Sequence, residues 1–393
     1  MPDPFPHTSS LTHSFGLDIQ PEAVYIYSMP LKTVIGDHGA AHKGRGATLN
    51  PEGRFESLQR EVFEDGWEPS EEDEPGRPKT TVTVERAKSI ISRNDSPDVP
   101  FAFSINPYRG CEHGCIYCYA RPSHAYLELS PGLDFETRLY AKVNAAELLR
   151  AELSKPGYRC ESITLGANTD PYQPIERQWQ VTRQILEVLA ACDHPVAIIT
   201  KNALVERDLD LLAPMAKKNL AQVYVSVTTL DHEIARRMEP RASAPRRRIE
   251  AIRALAEAGV PAGVMVAPIV PFLTDDGIEA VLETAAKAGA TRAGYTMMRL
   301  PWELKDLFKD WLENNYPLKA AHVMSRVRQI RGGKENDPNF GTRHSGTGLI
   351  AELINKRFHN ACQRFGLNEE RRSPNIDTTA FRPPNVDGQM DLF

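Results

Sequence analysis

Cysteine is scarce in this chain: six in 393 residues, too few and too scattered for a disulfide scaffold, and nothing marks the chain as secreted. No apolar run reaches the length of a membrane span, so no membrane association is expected. The N-terminus, Met1-Pro-Asp-Pro-Phe-Pro-His7, lacks the basic and apolar regions of a signal peptide. The expected location is therefore the cytoplasm. An excess of positive charge is also missing. A formal net charge of −5 argues against a generally basic nucleic-acid coat, although Arg236-Arg237 and Arg246-Arg247-Arg248 can still meet phosphates or a carboxylate if they are not merely solvated helix faces. The glycine-rich stretch at 332–348 has no Gly-Lys-Ser/Thr ending, so nucleotide hydrolysis is not indicated. Its position just before a helix still allows a phosphate to settle there, a flexible connection being the plainer alternative.

Half of the cysteines stand together, in Asn106-Pro-Tyr-Arg-Gly-Cys111-Glu-His-Gly-Cys115-Ile-Tyr-Cys118-Tyr-Ala-Arg121. The C-x3-C-x2-C interval lets three thiolates converge from one loop on one metal centre. Three is an informative number. A structural zinc site takes four protein ligands, and an ordinary four-iron cluster takes four cysteines, so a three-cysteine loop suggests a cluster with one iron left open. The competing reading completes a zinc site with His124, separated from Cys118 by five residues. Cys160, Cys192 and Cys362 have no such spacing and read as free, buried residues.

The rest of the chain divides by pattern. Residues 1–95 are rich in Pro, Gly, Asp and Glu without a sustained period and read as an irregular, partly disordered extension. Within it, the stretch from His42 to Phe55 suits either an anion, through glycine backbone and basic side chains, or a packed extended arm. A short strand is expected at 80–84. From 96 to 300, short apolar runs alternate with amphipathic stretches, the pattern of parallel βα units. Strands are expected at 101–105, 162–165, 196–200, 223–227, 262–267 and 292–297. Helices are expected at 136–153, 177–191, 206–217, 245–258 and 276–287. Six such units make an α/β fold: a partial (βα)6 TIM-type barrel, with chemistry at the carboxyl ends of its strands. Residues 301–380 read as a helical region and 381–393 as a flexible tail.

The candidate residues fall at those strand ends. The cysteine loop follows the first strand, and the second ends in Asn168-Thr169-Asp170, whose oxygens can accept from an ammonium unless they only cap the next helix. Lys201 closes the third strand as a cation for a carboxylate. Ser226 and Thr228 on the fourth offer hydroxyls for a ribose, and Arg241 adds a cation near the same rim.

The cysteine spacing resembles the signature of the radical S-adenosylmethionine (radical SAM) superfamily, and Tyr117 before the third cysteine fits it too. What the resemblance implies is a [4Fe-4S] cluster on Cys111, Cys115 and Cys118 and S-adenosylmethionine on the open iron. It implies reductive cleavage to a 5′-deoxyadenosyl radical, with an external electron donor. Over roughly 100–300 the chain is similar to the spore photoproduct lyase, DNA-repair-photolyase-like branch, which shares Tyr117, Tyr119, Asp170, Lys201 and Ser226. That likeness implies SAM contacts by Tyr117, Asp170, Lys201 and Ser226, to which the strand-end reading adds Asn168, Thr169, Thr228 and Arg241, together with a hydrogen relay or a packing role for Tyr119 and damaged DNA as substrate. The lyase's hydrogen-donating cysteine falls at Ala167 here, which counts against repair of the spore photoproduct itself. The tail, Gln389, Met390, Asp391, Leu392 and Phe393, resembles a bacterial sliding-clamp-binding peptide. The alternatives are a radical SAM enzyme on a peptide or small molecule, and a zinc-stapled adaptor recruited to the clamp.

Overall fold

The structure, a computed structural model, describes residues 44–56, 78–369 and 376–384. All of them belong to one compact unit, Val34–Phe393. The acidic stretch at 64–76 and the clamp-like peptide at 389–393 lie outside the described residues.

Six parallel strands form the centre: β1 (Phe103–Ile105), β2 (Ile163–Leu165), β3 (Val196–Thr200), β4 (Ala221–Ser226), β5 (Ala262–Ile269) and β6 (Arg292–Met297). Each pairs in parallel with the next, and the two-residue strand Ser92–Arg93 adds antiparallel to β1. The sheet's outer layer is α1 (Ala145–Leu153), α2 (Val181–Ala191), α3 (Leu209–Lys217), α4 (Pro245–Glu257) and α5 (Ile278–Lys287). Strands such as β3, Val-Ala-Ile-Ile-Thr, are apolar throughout because a parallel sheet is covered on both faces. Their Val and Ile side chains meet one helix stripe each, for example Val181, Ile185, Leu186 and Leu189 of α2, in a single core cluster. α6 (Leu304–Asn315), α7 (Pro317–Gln329) and α8 (Gly348–Phe365) supply the helical C-terminal region. The expected partial barrel is what the chain forms.

Three expectations need correction. The helix expected over 177–191 is broken at Gln180, at φ +51°, into Glu176–Trp179 and Val181–Ala191. The helix expected over 136–153 is interrupted: Arg138–Lys142 is a strand, paired in parallel with Thr81–Glu85 and antiparallel with Tyr108–Arg109. Its buried Leu139 and Ala141 alternate with more exposed neighbours, the period of a half-buried strand. The segment from 381 onward, expected to be free, is docked for as far as it is described. Phe381 lies edge-on to His194 at 5.1 Å, and Arg382 N–H donates to Cys192 O at 2.9 Å.

Gly166, just past β2, has φ +89°, and a Cβ there would stand 2.1 Å from Ile199 O. Replacing Gly166 by alanine should cost roughly 2–4 kcal/mol through backbone strain and overlap with a neighbouring strand. Urea unfolding should show a lower midpoint at unchanged slope, and an unchanged midpoint would show that the turn relaxes without cost.

Candidate active site

The cysteine loop begins where Gly110, at φ +70°, turns the chain after Tyr108–Arg109. Backbone bonds then pin it over the strand ends. Cys111 N–H donates to Phe135 O at 2.9 Å, Ile116 N–H to Met238 O at 3.0 Å, and Arg241 N–H to His113 O at 3.2 Å. Glu112 N–H donates to Gln173 Oε1 at 2.9 Å while Gln173 Nε2 returns a bond to Gly110 O at 3.1 Å.

Beneath the loop lies a fully buried ion pair, Arg121 with Glu136 at 2.5 Å. Arg121 also donates to the carbonyls of Gly114, Cys115, Pro131 and Gly132. Glu136 accepts from Gly46 N–H at 3.0 Å and Ala47 N–H at 2.8 Å. The anion that the glycine-containing arm grips is therefore one of the chain's own carboxylates. The approach is close: a Cβ on Gly46 would fall 1.8 Å from Gly114 O.

His113 ties the loop to two strands. Asn202 Oδ1 accepts from Leu204 N–H and Ser243 Oγ, which turns its amide nitrogen toward His113 Nε2 at 3.1 Å. That nitrogen must then accept, so the ring hydrogen sits on Nδ1, 3.4 Å from Asp170 Oδ2. Burial lowers the His113 pKa, in keeping with a neutral ring. Asp170 accepts in addition from Tyr172 N–H, Thr200 Oγ1 and Lys201 N–H. Its carboxylate holds the ends of β2 and β3 and the loop together.

A second buried cluster centres on Glu239. Tyr117 OH and Thr228 Oγ1 both donate to its Oε1, and Arg248 pairs with its Oε2. Arg248 also donates to Ser226 O at 3.0 Å and Ser243 O at 2.6 Å. Burial would raise the Glu239 pKa, but Arg248 and Lys201 outweigh it and the carboxyl is held below its ordinary value. Lys201 Nζ stands 5.8 Å from the centre of the Tyr117 ring. The arginine run at 246–248 thus has two faces. Arg246 and Arg247 pair with Glu250 and Glu206 at the surface, while Arg248 turns into the core.

The three loop thiols are free, with Cys111 and Cys115 buried. Among the described residues no group of three or more His, Cys, Asp or Glu side chains is gathered closely enough to hold a metal ion. The donor set nevertheless fits an iron-sulfur cluster. Burial pushes all three thiols up, Cys115 to about 12; Asp170 and the other two loop thiols add to this at Cys111 and Glu239 and Cys118 at Cys115, while at Cys118 backbone bonds, Arg121 and Lys201 oppose it. Thiolates in this turn need positive charge beside them, which a bound iron centre brings and Lys201 partly supplies. His124, the fourth ligand of the zinc reading, keeps a buried Nδ1 without a partner among the described residues. His124 Nε2 is 3.0 Å from Arg138 O, and its ring stands edge-on to Phe135.

Residues 105–285 match the model of the Radical SAM superfamily. Over 289 residues the chain is 39% identical to the uncharacterised protein Rv2578c of Mycobacterium tuberculosis, spanning 73% of this chain and 81% of that one. The chain belongs to the radical SAM superfamily. It is an enzyme of that class, and the family implies a [4Fe-4S] cluster and S-adenosylmethionine. The uncharacterised protein MJ0683 of Methanocaldococcus jannaschii is 28% identical over 240 residues, 61% of this chain and 85% of that one. The fold is that of spore photoproduct lyase. The structure of that lyase complexed with dinucleoside spore photoproduct aligns at TM-score 0.53 and 16% identity, over 73% of this chain and 80% of that one.

Around this radical SAM loop the sequence-derived candidates are placed unevenly. Tyr117, Thr228 and Lys201 meet at Glu239, and Ser226 reaches the same cluster through its carbonyl. Thr169 is buried and donates to Tyr108 O, and Asn168 N–H bonds Asn106 Oδ1 at 3.0 Å. Arg241 lies apart, paired with Glu112 at 2.8 Å. Tyr119 is 49% exposed, and its hydroxyl donates to Ala167 O. Sequence reasoning missed His113, Glu112, Arg121, Glu136 and Glu239, and it offered Arg248 to an outside anion where the structure pairs it with Glu239. The only signal for the first three was their place inside or beside the cysteine motif.

Proposed function

We propose that the chain binds a [4Fe-4S] cluster through Cys111, Cys115 and Cys118, binds S-adenosylmethionine beside it, and acts on damaged or modified DNA. The observation that carries this reading is the set of three free thiols in one loop, tied by backbone bonds to Phe135, Met238 and Arg241, with the Lys201 ammonium 5.8 Å from the centre of the Tyr117 ring in the same loop. When bound, the two cofactors supply electron-driven cleavage of the sulfonium and hydrogen abstraction from an unactivated carbon, with the electron from an external donor. Lys201 gives the cofactor's carboxylate a cation, and Arg241 supplies a second at the rim. Asn168, Thr169 and Asp170 line the end of β2 for the ammonium. Asp170 acts mainly by holding Lys201 and His113 in place. Ser226 faces the ribose, while Thr228 and Tyr117 form the polar floor with Glu239. Tyr119, whose hydroxyl reaches the carbonyl of position 167, would give its hydroxyl hydrogen atom to the substrate-derived radical where the lyase resemblance would otherwise expect a thiol, and the tyrosyl radical left behind would regain an electron from the external donor and a proton from solvent.

The lyase fold supports a DNA substrate, and the peptide Gln389 to Phe393 would bring the enzyme to a sliding clamp. Anaerobic reconstitution with iron and sulfide should give a brown protein with about four irons. It should release 5′-deoxyadenosine under a reductant, faster when damaged DNA is added. A colourless protein holding one zinc overturns the cofactor reading. Release that DNA does not change overturns the substrate reading.

A further inference from the structure

Beside Tyr119, on the stretch that follows β6, Arg299 makes no ion pair or hydrogen bond among the described residues, and its Nε is buried without a partner. Its guanidinium carbon lies 5.9 Å from the centre of the Tyr119 ring. Two neighbours share the condition. Arg331, 3% exposed, spends its terminal nitrogens on the carbonyls of Met297, Met298 and Thr342, but its Nε is buried and unpartnered. His344 is tied to β6 by its carbonyl, which accepts from Met297 N–H at 2.7 Å, while neither ring nitrogen has a hydrogen-bond partner. Its Nε2 is 3.7 Å from Asp98 Oδ2. Two carboxylates reach this region, and both are engaged elsewhere: Asp98 by Arg343 and Ser96, with Arg343 Nε at 2.8 Å, and Asp337 by Thr342 and Asn339. Burial depresses the pKa of Arg299, Arg331 and His344, and repulsion from neighbouring cations adds to it.

Buried donors without acceptors are costly, and like charges packed together are more so. Such a group persists where a ligand completes it. An oxyanion accepts several N–H bonds at once and cancels the mutual repulsion. Exposed aromatic rings accompany the cations: Phe340, 59% exposed, carries Arg343 over one face at 4.6 Å, and Tyr119, 49% exposed, has Arg299 at 5.9 Å. Cations alternating with open ring faces suit a chain of phosphates and stacked bases.

We propose that Arg299, Arg331 and His344 seat a backbone phosphate of a nucleic-acid strand, with adjacent bases on Phe340 and Tyr119. This rests on the DNA reading given above and locates the strand against the loop at 332–347. The loop joins the two ends of the barrel, since it bonds β6 through His344 and the turn before β1 through Arg343.

Fluorescence anisotropy of a labelled single-stranded oligonucleotide on the reconstituted enzyme, across a salt series, tests it. Arg299→Ala should weaken binding about tenfold, and the slope of log affinity against log salt should fall by about 0.7, the share of one phosphate on a single strand. Arg299→Lys should keep the slope and lose part of the affinity. Phe340→Ala should lose affinity at unchanged slope, and Arg246→Ala, on the far surface pair with Glu250, should match wild type. The Arg299→Ala protein should keep the brown absorbance and melt no lower than wild type, because it gives up a largely buried cation that makes no direct ion pair among the described residues. Wild-type affinity and slope in Arg299→Ala overturn this site while leaving the DNA reading standing. Wild-type enzyme that binds no oligonucleotide overturns both. Equal displacement of the oligonucleotide by polyglutamate of the same charge overturns the nucleic-acid assignment.

Discussion

Replacing Cys111, Cys115 and Cys118 together by alanine should give a folded protein that holds no iron-sulfur cluster and releases no 5′-deoxyadenosine. The expected loss of SAM cleavage is complete, because each iron without its thiolate leaves the cluster open to solvent and disassembly. The fold should survive because the loop is anchored by groups other than the thiols. Backbone bonds from Cys111, Glu112 and Ile116, the return bond from Arg241 to His113, and the Arg121–Glu136 pair all remain. Burial disfavours the charged form of these thiols, so removing them takes away no favourable charge from the metal-free chain. Iron and sulfide analysis, visible absorbance and far-ultraviolet circular dichroism on one preparation separate the effects. Iron retained at wild-type level with SAM cleavage intact would overturn the ligand assignment. Loss of the circular dichroism signal would show instead that the thiols hold the fold.

The same anchoring explains which parts of the molecule were legible in the sequence. Strand β3 falls where the apolar run places it, at Val196–Thr200, because a strand covered on both faces announces itself by composition, whereas β6, Arg292–Met297, was placed by its spacing in the βα series and buries only Met297. The cysteine loop was legible because thiols are rare and their spacing is chemical. Arg138–Lys142 was not. Five residues with one alternation are too short to separate from a helix turn, and its pairing partners are more than 25 residues away in sequence at both ends of the arm. Glu136 and Arg121 were hidden for another reason. Their burial depends on the arm at 44–56 crossing beneath the loop, a long-range contact with no local pattern. Asp170 was legible as a site residue, but its bonds to Thr200, Lys201 and Tyr172 show a brace between two strand ends. An arginine run looks like a solvated face whichever way its members turn. Only the helix phase of α4 decides that Arg248 points inward and Arg246 outward.

That inward arginine carries the other large effect. Glu239→Ala should destabilise the metal-free protein by about 3–5 kcal/mol, since it leaves a buried guanidinium without its counter-charge and takes the acceptor from Tyr117 and Thr228. The pair is 1% exposed on each side, so water cannot step in at the surface to replace the lost partner. Arg248→Met alone should be costly as well, because it strands the carboxylate, with Lys201 the remaining cation beside it. The combination of Glu239→Ala with Arg248→Met should recover much of the loss. Removing both charges removes two desolvation costs, and only the bonds to the carbonyls of Ser226 and Ser243 and to the two hydroxyls are then missing. Urea midpoints of the wild type, both single variants and the double variant close this cycle. If the single losses simply add in the double variant, the two side chains act independently and the buried pair is not what fixes the floor beneath Tyr117. A positive coupling together with normal cluster loading in the double variant would assign the pair to stability alone. Coupling with impaired loading would tie the position of Tyr117, and through it the cysteine loop, to this one ion pair.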